Sequence, residues 1–211
     1  SDQKYLAHIH HRKKRFVIIN SNKVSIYRES NYALRKLSAS SLELIDLYGV
    51  GWDKSIGIKI RNLLTSVWNY KFCGGMVDFN NMKVWLQSNP KNYGEVKNKL
   101  ETMSLYNYSL IIENESTYIS EKIFDSFLAG CLPIYVGPYI PNDIIPNNLF
   151  IRSSATIDDI KMAINIAIEF DYETWTRNLI DWLRSPSTKK YWDYESVYQR
   201  LAKELKEYVA S

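Results

Sequence analysis

At 211 residues the chain is long enough for one large domain or two small ones with a substantial core. A hydrophobic content of 45% beside 24% charged residues is ordinary for a soluble globular protein, and no apolar run approaches the roughly 20 residues needed to span a bilayer. A formal net charge of +4 suits an anionic ligand but is too mild to argue for nucleic acid, and two cysteines argue against a disulfide framework.

The N-terminal residues are polar and basic and do not resemble a signal peptide, so a cytoplasmic protein is expected, with peripheral membrane contact left open. Residues 1–13 read as a basic arm or interdomain linker and 14–211 as one α/β domain. His8, His10 and His11 lie close together, but no Cys, Asp or Glu stands at ligand spacing, so no metal site is expected. The run Arg12-Lys13-Lys14-Arg15 reads as the solvated start of a strand over 16–20. A loop over 21–26 leads past Arg28 into a helical stretch ending near residue 37. A second strand is expected over 42–48, and Gly49-Val50-Gly51 reads as a turn. Residues 55–68 read as helix, 70–90 as short strands or loops, and 93–103 as a helix feeding a strand over 108–112.

A polar loop then leads into a helix opened by Ser120, Glu121 and Lys122, and a buried strand follows over 132–136. Pro138, Pro141 and Pro146 keep the next stretch in loop before a short strand at 149–151. Thr156 followed by Asp158 and Asp159 reads as the cap of a helix, Asp171 as the cap of another, and 194–209 as a last amphipathic helix. Strands buried on both faces and alternating with helices predict a doubly wound, Rossmann-like parallel sheet. Cys131, at a helix-to-strand junction, and Cys73 read as buried thiols.

The βαβ unit over 108–136 carries the chemistry. Its first turn lies where open α/β sheets bind ligands, and a helix N-terminus offers unpaired N–H groups to a phosphate. Ile123, Phe124, Phe127 and Leu128 form one apolar face, which leaves Glu121 and Lys122 on the first turn beside 114–117. A glutamate there complements the helix dipole. A lysine opposes it, and is better explained if an anion sits between it and the N–H groups.

Asn114, Tyr118-Ile119-Ser120-Glu121-Lys122 and the stretch Ala129-Gly130-x-x-Pro133-Ile134-Tyr135-Val136-Gly137-Pro138 resemble the donor-binding motif of the α-1,3/1,4-fucosyltransferases. The likeness extends upstream to the strand over 15–20, Ser21-Asn22 and Arg28, and covers about 14–152. It implies the C-terminal, Rossmann-like half of a GT-B glycosyltransferase that binds GDP-fucose or a related GDP-sugar. Transfer to a glycan acceptor, such as a lipopolysaccharide or another oligosaccharide, would be inverting and would need no metal or other cofactor. By position, Arg28 and Lys122 would contact the diphosphate, Glu121 the ribose or sugar hydroxyls, and Asn114, Tyr118 and Ser120 would line the nucleotide pocket.

Two stretches depart from the family pattern: the loop between Asn114 and Tyr118 is short, and Arg152-Ser153-Ser154 replaces an acidic stretch. No room remains for the acceptor domain that carries the family's general base, so a chain incomplete for catalysis is expected. Glu113 and Glu115 are near the loop without a family role as that base. The competing expectation is a degenerate donor-fold module with a binding or scaffolding role.

Overall fold

A computed structural model describes residues 12–20, 42–50, 52, 91–114, 118–186 and 188 of the chain. These fall into two compact units, divided at 139/140, 149/150 and 169/170. The larger unit is built on five parallel strands in the order β2-β1-β3-β4-β5: β1 Lys13–Ile19, β2 Ile45–Tyr48, β3 Tyr106–Ile112, β4 Leu132–Val136 and β5 Ile151–Arg152. From β1 the chain goes outward to β2, then returns to add β3, β4 and β5 on β1's other side. That reversal puts the topological switch point between the carboxyl ends of β1 and β3.

All seven residues of β3 and all five of β4 are buried, as their unbroken apolar runs require. Each large aliphatic side chain there contributes about 1.5–3 kcal/mol relative to an exposed one. Helices α1 (Lys99–Met103), α2 (Lys122–Leu128) and α3 (Ile157–Glu169) belong to this unit. Helix α2 buries Ile123, Ser126 and Phe127. Its end is closed by Gly130 in the left-handed region at φ 70°, with Cys131 N donating to Ser126 O at 2.8 Å and Gly130 N to Phe127 O at 2.9 Å. The Ser126 hydroxyl also meets that of Ser109 on β3. Helix α3 buries Ile160, Ala163, Ile164 and Ala167, the spacing of one helical face. Thr156 caps it by accepting from Asp159 N at 3.2 Å.

In the smaller unit, α4 (Tyr172–Arg184) is capped by Asp171, which accepts from Thr174 N at 3.1 Å. It anchors a 3₁₀ turn at Asn147–Leu149 through Trp175 Nε1, which donates to Leu149 O at 2.9 Å.

Several expectations shift. The helix read over 93–103 begins only at Lys99, because Gly94 sits at φ 84° and Asn98 caps the helix by accepting from Glu101 N. The strand read at 149–151 is displaced to Ile151–Arg152 by the 3₁₀ turn. Arg12 is not solvated. Its guanidinium is buried and donates to Ala129 O at 2.8 Å, Gly130 O at 2.7 Å and Tyr106 O at 3.3 Å, tying the start of β1 to the end of α2. Arg15 pairs at 2.6 Å with Asp46, which also accepts from the Tyr106 hydroxyl at 2.9 Å. The helices read near 28–37, 55–68 and 194–209, the histidines at 8, 10 and 11, and Cys73 lie outside the described residues.

Candidate functional site

The carboxyl end of β1 is fixed by close backbone contact. Asn20 N donates to Tyr48 O at 3.0 Å, and Asn20 O accepts from Trp52 Nε1 at 2.7 Å. Gly49 passes so near, at φ 138°, that a Cβ would lie 2.0 Å from Asn20 O. The turn read at Gly49 is therefore also a contact that only glycine permits.

Across the switch point, β3 ends at Ile112 and the next residue, Glu113, turns its carboxylate under the loop that opens α2. It is 1% exposed. Ser120 N donates to Glu113 Oε1 at 3.0 Å and the Ser120 hydroxyl to Oε2 at 2.7 Å. Lys122 Nζ donates to Glu113 Oε2 at 2.9 Å and to Ser120 Oγ at 3.0 Å. The anion that accounts for a lysine at the start of α2 is thus part of the chain itself, nine residues upstream. Ser120 and Lys122, two of the predicted site residues, are brought together by a third group, Glu113, for which no role was expected. The pair has no net charge. An ammonium carries three donors, and Glu113 and Ser120 take two of them. Buried and so engaged, Glu113 is no candidate for a general base.

Glu121 lies on the outside of the same turn, 3.8 Å from Lys99, which also binds Asp125. Asn114 is exposed and Tyr118 half-exposed, beside the turn that holds Glu113. Arg28 and Glu115 lie outside the described residues.

Over β4 the same end of the sheet is tightly packed. Gly137 lies where a Cβ would fall 2.6 Å from the Tyr135 hydroxyl and 2.8 Å from Glu113 Cγ. The motif glycine is thereby explained by contact rather than by backbone conformation. The Tyr135 hydroxyl is buried and has no hydrogen-bond partner among the described residues. Burial, and after it the Glu113 carboxylate, push the phenol up from its ordinary pKa, with Arg152 opposing, so it stays protonated. Cys131 is buried, and burial pushes its thiol up to about 12, which fits an inert thiol.

The whole chain aligns with a sucrose-phosphate synthase from Thermosynechococcus elongatus at a TM-score of 0.52 and 14% identity, covering 100% of this chain and 49% of that one. Anabaena HepE, solved in complex with UDP and glucose, aligns at 0.52 and 13% identity over 98% of this chain and 52% of its own. The fold is that of GT-B glycosyltransferases. An α1,3-fucosyltransferase structure aligns over 85% of this chain and 43% of its own, at a TM-score of 0.48 and 17% identity. In sequence, a putative fucosyltransferase-like protein of Arabidopsis thaliana is 34% identical over 65 residues. That stretch is 30% of this chain and 13% of the relative, and the chain spans about half the length of the GT-B structures it matches. No protein-family model matches. Among the described residues no helix is long and apolar enough to cross a membrane.

Proposed function

We propose that the chain is the donor-binding half of a glycosyltransferase that takes GDP-fucose or a related GDP-sugar and passes the sugar, with inversion and without a metal, to a glycan acceptor. The observation that carries this reading is Lys122, held by Glu113 and Ser120 at the carboxyl end of β3 beside the switch point. Inverting transfer breaks the bond between the anomeric carbon and the diphosphate while the acceptor oxygen attacks from the opposite face. The departing diphosphate gains negative charge. Fixed donors aimed at that oxygen lower the barrier most when they are already oriented. Lys122 is oriented by its two partners and keeps one N–H for a phosphate oxygen. Because Glu113 cancels its charge, a second cation is needed, and by the family resemblance that is Arg28. The exposed Glu121 carboxylate suits a vicinal diol of ribose or sugar, and Asn114 and Tyr118 border the nucleotide. The acceptor's proton goes to a base on the acceptor-binding half, since Glu113 is committed elsewhere.

The neutralised lysine is the one feature that favours a second reading, a donor-fold module that binds or scaffolds without transferring. Calorimetric titration with GDP in the presence of a chelator separates the two. Donor binding predicts saturable affinity that Lys122→Ala and Arg28→Ala each weaken about tenfold or more. No heat of binding from the unaltered chain, or an affinity unchanged from it in both variants, leaves the second reading.

A further inference from the structure

Helices α1 and α2 begin at the same end of the sheet, because α1 leads down into β3 and α2 follows the carboxyl end of β3. Each opens on a lysine, a cation that opposes the helix dipole. Lys122 finds its counter-charge in Glu113, whereas Lys99 finds its own on α2. The Lys99 ammonium donates to Asp125 Oδ2 and stands 3.8 Å from Glu121 Oε1, so it links two carboxylates one helical turn apart. Lys99 and Asp125 are partly buried, and their hydrogen bond fixes the ammonium. Glu121 is different. Its side chain is 72% exposed and does not cap the N–H groups of its own helix. At 3.8 Å Lys99 attracts it without a hydrogen bond, so both carboxylate oxygens can still accept. An exposed ion pair of this kind adds little stability, and its effect is on where the carboxylate points.

We propose that Lys99 is a positioning residue that holds the Glu121 carboxylate ready for the cis-diol of a nucleotide's ribose, and so sets a preference for a ribonucleotide over its 2′-deoxy form. The inference deepens the donor-binding reading and rests on it. Glu121 directly precedes Lys122, whose remaining N–H is assigned to the diphosphate, and the ribose is joined to that diphosphate on the side of the base. A carboxylate accepts from two adjacent hydroxyls through charge-assisted hydrogen bonds, and one of them is lost when the 2′-hydroxyl is absent. Without Lys99, Asp125 repels Glu121 across the helical turn, and the diol must be met by a side chain that gives up its rotamer freedom on binding. Without the Asp125 charge, Lys99 is released to bond Glu121 directly and takes up an oxygen that the diol needs.

Calorimetric titration of the full chain with GDP and with 2′-deoxy-GDP tests it. The unaltered chain should bind GDP about tenfold more tightly than 2′-deoxy-GDP. Lys99→Met and Asp125→Asn should each reduce that ratio to about threefold or less. A lysine that only offset charge near the diphosphate would strengthen both nucleotides alike, so a ratio unchanged in Lys99→Met overturns the role. An unaltered chain that binds both nucleotides equally overturns it too. If Lys99→Met fails to fold, as thermal unfolding reports, Asp125→Asn decides by the same ratio. GDP binding without these differences removes only the role of Lys99. An unaltered chain that binds neither nucleotide removes the donor-binding reading, and this role with it.

Discussion

Replacing Glu113 by alanine is the sharpest test of how the turn after β3 is built. The substitution leaves Ser120 N and the Ser120 hydroxyl without their acceptor and the Lys122 ammonium without its counter-charge. Removing one partner of a buried ion pair costs about 3–5 kcal/mol, and two stranded neutral donors add to that. Lys122 retains 15% of its side-chain exposure, so water reclaims part of its charge, and about 3 kcal/mol is the expected total. Glu113→Gln keeps one acceptor but turns an amide toward Lys122, and about 1–2 kcal/mol is expected. Lys122→Met in the Glu113→Gln background should recover part of that loss, because the stranded charge is gone. Urea denaturation of the unaltered chain, Glu113→Gln, Lys122→Met and the double variant yields the coupling energy directly. A loss below about 1 kcal/mol for Glu113→Ala, or strictly additive effects in the double variant, would refute the arrangement as the fixed element of the turn.

Other outcomes follow from the same packing. Gly137→Ala places a methyl group 2.6 Å from a buried hydroxyl and 2.8 Å from Glu113 Cγ, and should cost about 1–3 kcal/mol in thermal unfolding. Burial alone would raise the Asp46 carboxyl, but hydrogen bonds from Arg15 and Tyr106 outweigh it and hold the carboxyl below its ordinary range. The unfolded chain therefore takes up this proton first as pH falls. The stabilisation from Asp46 is present above about pH 4 and is lost as pH drops through the lower, folded value, so Asp46→Asn should flatten the acid limb of a stability–pH curve. Cys131 should resist iodoacetamide in the folded protein at pH 8 and react in urea, read by peptide mass spectrometry.

The sheet was legible because its central strands are continuous apolar runs. Residues 132–136 emerge with the predicted bounds, and the caps at Thr156 and Asp171 act through the N–H groups their positions imply. Helix starts without a strong cap signal were harder. The stretch 93–98 has helical composition, yet Asn92 accepts from Gly94 N and Gly94 takes a left-handed φ, which delays α1. At the candidate site the residue types were readable and the pairing was not. A lysine opposing a helix dipole signalled a nearby anion, but that Glu113 supplies it depends on how a loop folds back, which periodicity does not encode. The same holds for Arg12, whose three carbonyl acceptors lie 94 to 118 residues away along the chain.

On the donor-binding reading, the Glu113 carboxylate has a bearing on turnover as well as on stability. An ammonium that already has company inside the protein need not be rehydrated when the spent nucleotide departs. Lys122 then keeps its counter-charge in the empty site, and product escape does not bare its ammonium. Such a site trades grip on the ground state for ease of release, and holds hardest only at the moment the leaving oxygen becomes most negative.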